Sequence, residues 1–305
     1  MPRVQGAHAH DRPRQSSVSG WTRPGRCDTI DVMEAEVRYH MLRPAQVHAR
    51  RDDCPVVYIP IGTIEWHGPQ NPLGADTLQA EGLALLCARK GGGLVFPSLY
   101  YGESRSESLM EANAEDREKI AEAMGLPPDN FLPERQPFSP TEQVINYQRL
   151  LLHMLAEAET LGFTLGVLVA GHYPLIDHAR SAVLLFNQRR YSKRHGMLAW
   201  ACVDYLLLRD TYPDSGDHAA GWETSHLLAL HPETVDLSQL PPRGAPLVGI
   251  MNMGNRLPHD ATAEFGRRTL EESAQIVVQE VKHRLANPGM YRQHGGSLQE
   301  GLWRH

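Results

Sequence analysis

The chain reads as an α/β protein built on a mostly parallel sheet with helices over both faces. Three observations predict this class. Short apolar runs rich in Val, Ile and Leu, bounded by Pro and Gly, recur along the sequence, and runs of that length read as buried strands. Between them lie longer segments whose apolar residues fall at helical spacing. The repeated strand–helix alternation calls for crossover connections, which return the chain to the sheet in parallel.

Each element has a local justification. Val56-Val-Tyr-Ile-Pro-Ile61 is the first predicted strand. After a turn-rich loop, residues 77–89 alternate Leu and Ala with polar residues at helical spacing, and Gly91-Gly-Gly93 ends that helix. Residues 94–99 read as a second strand. An acidic, helix-prone segment follows at 111–124, and residues 125–140, with five prolines, read as loop. Residues 141–161 form an amphipathic helix with Val144, Leu151, Leu155 and Ala158 along one side. The remaining expectations are a strand at 164–170, a helix at 175–195, a strand at 197–206, a short helix from about Trp222 and a closing helix at 261–286.

Composition bounds the function. A chain of 305 residues is long enough to bury a substantial core, and its 41% hydrophobic and 22% charged residues are ordinary for a soluble globular protein. A formal net charge of −6 offers no electrostatic case for nucleic-acid binding. No apolar run approaches the roughly 18 residues needed to span a bilayer, so no membrane role is expected. Four cysteines, Cys27, Cys54, Cys87 and Cys202, are scattered without a CxxC pair. This argues against a disulfide framework or a cysteine-ligated zinc and agrees with a reducing cytoplasm. Residues 1–30 read as a disordered leader: the first 27 hold five Arg and one Asp, with Pro, Ser and Gly throughout. Residues 31–290 are expected to form one domain, and 291–305 a tail.

Chemistry is concentrated in three places. The first is Thr63-Ile-Glu-Trp-His-Gly-Pro-Gln-Asn-Pro-Leu-Gly-Ala-Asp-Thr77, directly after the first strand. Functional groups of open α/β sheets gather beyond the carboxyl ends of strands. Glu65, His67 and Asp76 together form a set of hard ligands suited to Zn²⁺, Mn²⁺ or Fe²⁺. Plainer roles compete: Asp76 as a helix cap, and His67 as a loop histidine bonded to backbone. The second place is His172, one residue past the apolar run that ends at Ala170. The third is Asp217-His-Ala-Ala-Gly-Trp-Glu-Thr-Ser225, holding His218 and Glu223. Here too a cap at Asp217 or Thr224 and a first-turn charge at Glu223 are the plain alternatives. A Ser-His-Asp hydrolase lacks its G-x-S-x-G elbow, and no G-x-G-x-x-G marks a nucleotide fold.

These segments resemble the signatures of the creatininase (creatinine amidohydrolase) family. Gly62-Thr-Ile-Glu-Trp-His-Gly-Pro with Pro-Leu-Gly-Ala-Asp-Thr77 is similar to the first, Gly171-His-Tyr173 to the second, and His218-Ala-Ala-Gly-Trp-Glu-Thr-Ser225 to the third. Asp260-Ala-Thr-Ala-Glu-Phe-Gly266 resembles the segment before the family's last helix. The resemblance implies a three-layer α/β/α sandwich, a homo-oligomer (often a hexamer in the family) and about two divalent metals per chain. Glu65, Asp76 and His172 would hold one metal, with Asp76 bridging to a second bound by His67. In creatininase a Glu two residues after the second-signature histidine completes that second site; Pro174 stands there in this chain, leaving Glu223 or water to compensate.

By the same resemblance, two cations sharing a carboxylate generate a hydroxide at physiological pH. His218 would shuttle a proton to the leaving nitrogen, and Glu223 would orient a ligand or the substrate. The expected reaction is hydrolysis of a C–N bond in a small amide, cyclic amide or formamide. Creatinine itself fits poorly, since Asp214 occupies the position of a Trp that helps enclose it. Residues 103–140 carry an insertion in the position of a lid or subunit contact. The rival expectation is a degenerate, non-catalytic metal-binding member whose second site ends at Pro174, or a branch acting on a modified peptide or a lactone.

Overall fold

The computed structural model describes residues 36–102, 116–135, 137–188, 196–252 and 256–292. The expected leader at 1–30, residues 103–115 of the insertion and most of the expected tail lie outside these. Four parallel strands form one sheet in the order β2-β1-β3-β4: β1 (Val56–Ile61), β2 (Leu94–Val95), β3 (Leu165–Ala170) and β4 (Leu198–Val203). Every residue of these strands is buried, which is why the runs are continuously apolar rather than alternating.

Among the described residues the helices are α1 (Pro44–Asp53), α2 (Ala75–Gly91), α3 (Arg117–Ala123), α4 (Pro140–Thr160), α5 (Leu175–Asn187), α6 (Asp204–Leu207), α7 (Gly221–Leu230), α8 (Ala263–Ala286) and α9 (Pro288–Arg292). The crossover through α2 runs from β1 outward to β2, and that through α5 runs from β3 outward to β4. Right-handed crossovers in opposite directions lay their helices on opposite faces. Accordingly α2, α7 and α8 pack together, and α4 packs with α5. The result is the expected three-layer α/β/α sandwich.

Several boundaries differ from the sequence reading, each for a local reason. β2 stops at Val95 rather than at 99. Pro60 of β1 has no N–H to donate toward that edge, and Pro97 interrupts the second strand. The chain still follows β1 through Phe96 N–H to the Tyr58 carbonyl at 2.9 Å and Leu99 N–H to the Pro60 carbonyl at 3.0 Å. The strand expected over 197–206 ends at Val203, where Asp204 opens the single turn α6. The helix expected over 175–195 ends at Asn187, whose side-chain amide brackets the backbone of Ala199 through two hydrogen bonds of 2.9 and 2.8 Å. This caps the open edge of β4. Helix α4 begins one residue early, at Pro140, where the preceding Ser139 and first-turn Glu142 form a capping box. Helix α1 had no counterpart in the sequence reading: its Arg- and Asp-rich face buries only Val47.

Candidate metal centre

Connections leave β1 and β3 in opposite directions, so a crevice opens between their carboxyl ends. This switch point is where open α/β sheets bind ligands. Glu65 and His67 lie in the loop after β1, and His172 follows β3 by two residues. Asp76 enters on the first turn of α2, His218 comes from the segment leading into α7, and Glu223 from the first turn of α7.

The six side chains converge. His172 Nδ1 lies 2.8 Å from Glu65 Oε2 and 3.2 Å from Asp76 Oδ2. His67 Nε2 lies 2.9 Å from Asp76 Oδ1 and 3.4 Å from Glu223 Oε2. His218 Nε2 stands 3.9 Å from Glu65 Oε1. All are buried except His218, which keeps slight exposure. Three combinations have ligand atoms mutually close enough to hold a metal ion: Glu65–Asp76–His172, His67–Asp76–Glu223 and Glu65–His67–His218. The first two share Asp76. Glu65, Asp76, His172, His218 and Glu223 border a cavity of about 220 Å³ whose other wall is Tyr173, Pro174, Asp217 and Met251.

Electrostatics show how unusual this cluster is. Burial opposes a charge on His67, yet Asp76, Glu223 and Glu65 together raise its pKa to about 10. Burial likewise opposes a charge on His172, and Glu65 and Asp76 overcome it, lifting its pKa well above the ordinary value. Asp76 moves the other way: burial pushes it up, but His67 and His172 hold it far below the usual carboxylate range. Glu223 is raised by burial, with Asp76 and Asp217 adding to the effect against His67. Burial also lifts Asp217 to about 7 and lowers His218. Carboxylates this crowded and dry require positive charge among them.

The fit to a divalent cation rests on atoms whose close polar partners are one another. Glu65 Oε2, His67 Nε2 and Asp76 Oδ2 are fully buried, and each faces another donor of the same cluster at 2.8–3.2 Å. The Nδ1 of His67 faces the Glu65 carbonyl at 3.2 Å. A proton donated there leaves the Nε2 lone pair directed at Asp76 and Glu223, the arrangement a histidine ligand requires. The plain role of Asp76 as a cap is not realised, because Gly74 precedes α2 and no side chain caps that terminus.

His218 is held differently. Its Nε2 lies 2.9 Å from the Trp66 carbonyl, so this nitrogen carries the proton and donates it. In a neutral imidazole the lone pair is then on Nδ1. Backbone hydrogen bonds of 2.9 Å in both directions pair His218 with Met251. The next residue, Ala219, has a φ of 59°, a left-handed conformation that costs a non-glycine residue about 1–2 kcal/mol. That turn aims the Ala219 N–H at Glu223 Oε2 (2.7 Å) and its carbonyl at Gln70 Nε2 (2.8 Å). Strain of this kind gathers at functional sites.

The capping role foreseen for Asp217 is realised. It accepts the Trp222 and Glu223 N–H groups at 2.6 and 3.2 Å, satisfying the first turn of α7. The described part of the insertion also reaches the site. Ile120 and Ala121 of α3 bury the ring of Trp66, whose indole donates to the Val248 carbonyl at 3.0 Å. Residues that sequence reasoning missed are Trp66, Tyr173, Ala219 and Met251. The first three sit inside quoted motifs, whereas Met251 lies in a segment with no periodicity to mark it.

Close approach fixes Asp76 as well. A methyl group on Gly171 would run into the Asp76 carbonyl. We therefore expect Gly171→Ala to destabilise the fold by about 1–3 kcal/mol and to displace Asp76. Thermal unfolding and metal content both read it, and an unchanged melting temperature with full metal loading would contradict the expectation.

The family model for creatininase, described as creatinine amidohydrolase, matches residues 40–114. A 3-dehydro-scyllo-inosose hydrolase from Thermotoga maritima is 33% identical over 66 residues, which is 22% of this chain and 21% of that protein. The chain thus spans about a fifth of this curated relative. A crystal structure of creatinine amidohydrolase (creatininase) superimposes with a TM-score of 0.59 at 20% identity, over 85% of this chain and all of that one. Zinc and manganese forms of creatininase match over 82% of the chain with TM-scores of 0.59 and 0.58. Fold and site together define an α/β/α protein with a buried cluster of metal-ligand type at the carboxyl edge of its sheet. Residues 40–114 match the creatininase family model, and the described residues share the fold of the creatininase structures.

Proposed function

We propose that this chain is a metal-dependent hydrolase acting on a C–N bond of a small amide, cyclic amide or formamide. The observation that carries the reading is the shared Asp76, common to two groups of buried ligand atoms. Glu65, Asp76 and His172 would hold one divalent cation, and His67 with Asp76 would contribute to a second. Zinc, manganese or iron suits such N/O ligands. Cations held there supply Lewis-acid polarisation of a carbonyl and a nucleophile at neutral pH.

The chain's own groups supply the rest. His218, neutral through burial and with Nδ1 free of its proton, takes a proton at that atom and returns it to the leaving nitrogen. The Trp66 carbonyl holds the ring in place during the transfer. Tyr173, Pro174 and Met251 close one side of the cavity and limit both water and substrate size. Creatininase is known in complex with creatine, which supports a small molecule as substrate here. Association into a homo-oligomer is part of the same proposal, by family likeness.

The test is a screen of protein loaded with Mn²⁺, Zn²⁺ or Fe²⁺ across lactams, formamides and short amides. The substrate of the Thermotoga maritima relative belongs in that panel, because a second reading, hydrolysis of an inosose-type compound, is favoured by the 66-residue match. Silence across the panel by protein carrying metal would remove the enzymatic reading. Metal should also stabilise the fold measurably. At a free concentration of about 100 times Kd, binding contributes about 2.7 kcal/mol. At about 2–4 °C per kcal/mol the melting temperature should rise by roughly 5–10 °C. A chelator should reverse the rise, and no shift with any of the three ions would count against a metal centre.

A further inference from the structure

The geometry points to Glu223 as a direct ligand of the second metal position, completing the place for which Pro174 has no donor. This inference rests on the two-metal reading above and goes beyond the orienting role that the sequence resemblance implies. Three observations support it. Glu223 Oε2 lies 3.4 Å from His67 Nε2, a buried nitrogen that also lies 2.9 Å from Asp76 Oδ1. Ligand atoms of His67, Asp76 and Glu223 form a convergent group independent of Glu65 and His172. Pro174 faces the same cavity from the N-terminus of α5 but carries no polar side chain.

The backbone explains why Glu223 can take this place. It lies in the first turn of α7, where the helix dipole favours an acidic side chain. The left-handed turn at Ala219 directs an N–H onto Oε2 at 2.7 Å and so fixes the carboxylate's rotamer. A carboxylate oxygen has two lone-pair sites, so accepting that N–H leaves one for a cation. Asp217, by accepting the Glu223 N–H, anchors the turn from the other side. A group serving only to orient His67 would be expected to face its Nδ1; that nitrogen instead faces the Glu65 carbonyl.

The assignment predicts which metal is lost in which variant. Wild-type protein loaded with Mn²⁺ should bind two equivalents, and the pair should show an exchange-coupled paramagnetic resonance spectrum. Glu223→Gln preserves the hydrogen bond from Ala219 through its amide oxygen while removing the anionic ligand. It should retain one equivalent, weaken the other by at least about 10–100-fold, and show an isolated Mn²⁺ signal. His172→Ala should spare the position that Glu223→Gln weakens. Circular dichroism and thermal unfolding confirm that each variant is folded, and Glu223→Asp provides a second, anionic variant that should weaken the same equivalent less. If Glu223→Gln keeps two tightly held, coupled ions, the ligand assignment is wrong and the two-metal reading stands. If the wild-type protein binds no metal at all, the underlying reading fails instead.

Discussion

Asp76→Asn should strip the centre of both metals and lower turnover by more than about 100-fold, the upper range for losing even an indirect metal partner. Its carboxylate is the one group common to the Glu65–His172 and His67–Glu223 sides. Asn is nearly isosteric but neutral, so packing around α2 should survive while the charge that gathers cations disappears. Metal analysis and turnover on the best substrate of the screen measure both effects, and a variant retaining its full metal complement would be incompatible with a bridging role.

The same substitution has a pH signature. In metal-free protein His67 is raised above its unfolded value to about 10, chiefly by Asp76 once burial is overcome. Stability from that proton is fully present below about pH 6.5 and is lost as pH rises toward 10, at about 1.4 kcal/mol per pH unit for one group. Metal-free wild type should therefore lose stability across this window, and Asp76→Asn should flatten the loss. Cations displace the protons of His67 and His172, so apparent metal affinity should rise with pH over the same range. A melting profile independent of pH between 6.5 and 10 in both proteins would contradict this account.

Much of this site was legible in the sequence because its donors are fixed by local rules. Glu65, His67 and His172 each follow an apolar run that must be a strand, and strand ends are where a parallel sheet exposes polar groups. Asp76 was readable because a Pro- and Gly-rich loop returns the chain to those ends, as the hydrogen bond from Glu65 N–H to the Leu73 carbonyl shows (3.0 Å). The contact of Glu223 with His67 was not readable. It depends on a left-handed alanine, a conformation that no residue-type preference announces, and on register set by Met251 across a two-residue bridge. Within the fold, β1 and β3 were placed nearly to the residue by burial on both faces. The short extent of β2 and the early end of α5 depended on Pro60 and Asn187, where one missing donor and one side-chain amide outweigh an apolar pattern.

His218→Ala separates catalysis from metal binding. A general acid–base group contributes about 10²–10⁴-fold to rate, so turnover should fall by that factor while metal content stays at the wild-type level. The ring lies near Glu65 and 4.6 Å from that of His67, which makes a ligand role the direct competitor. Its Nε2 proton argues against that role, since the Trp66 carbonyl at 2.9 Å already accepts it. Loss of a metal equivalent in His218→Ala would make it a ligand and end the shuttle assignment. Burial lowers the pKa of His218, so its base form should persist below the ordinary histidine value of about 6.5. Rate limited by this group should then fall only on the acid side of that value. In His218→Ala the acid limb should vanish, and added imidazole, small enough for the adjoining cavity of about 220 Å³, should restore part of the rate. A purely structural histidine would show neither the missing limb nor the rescue.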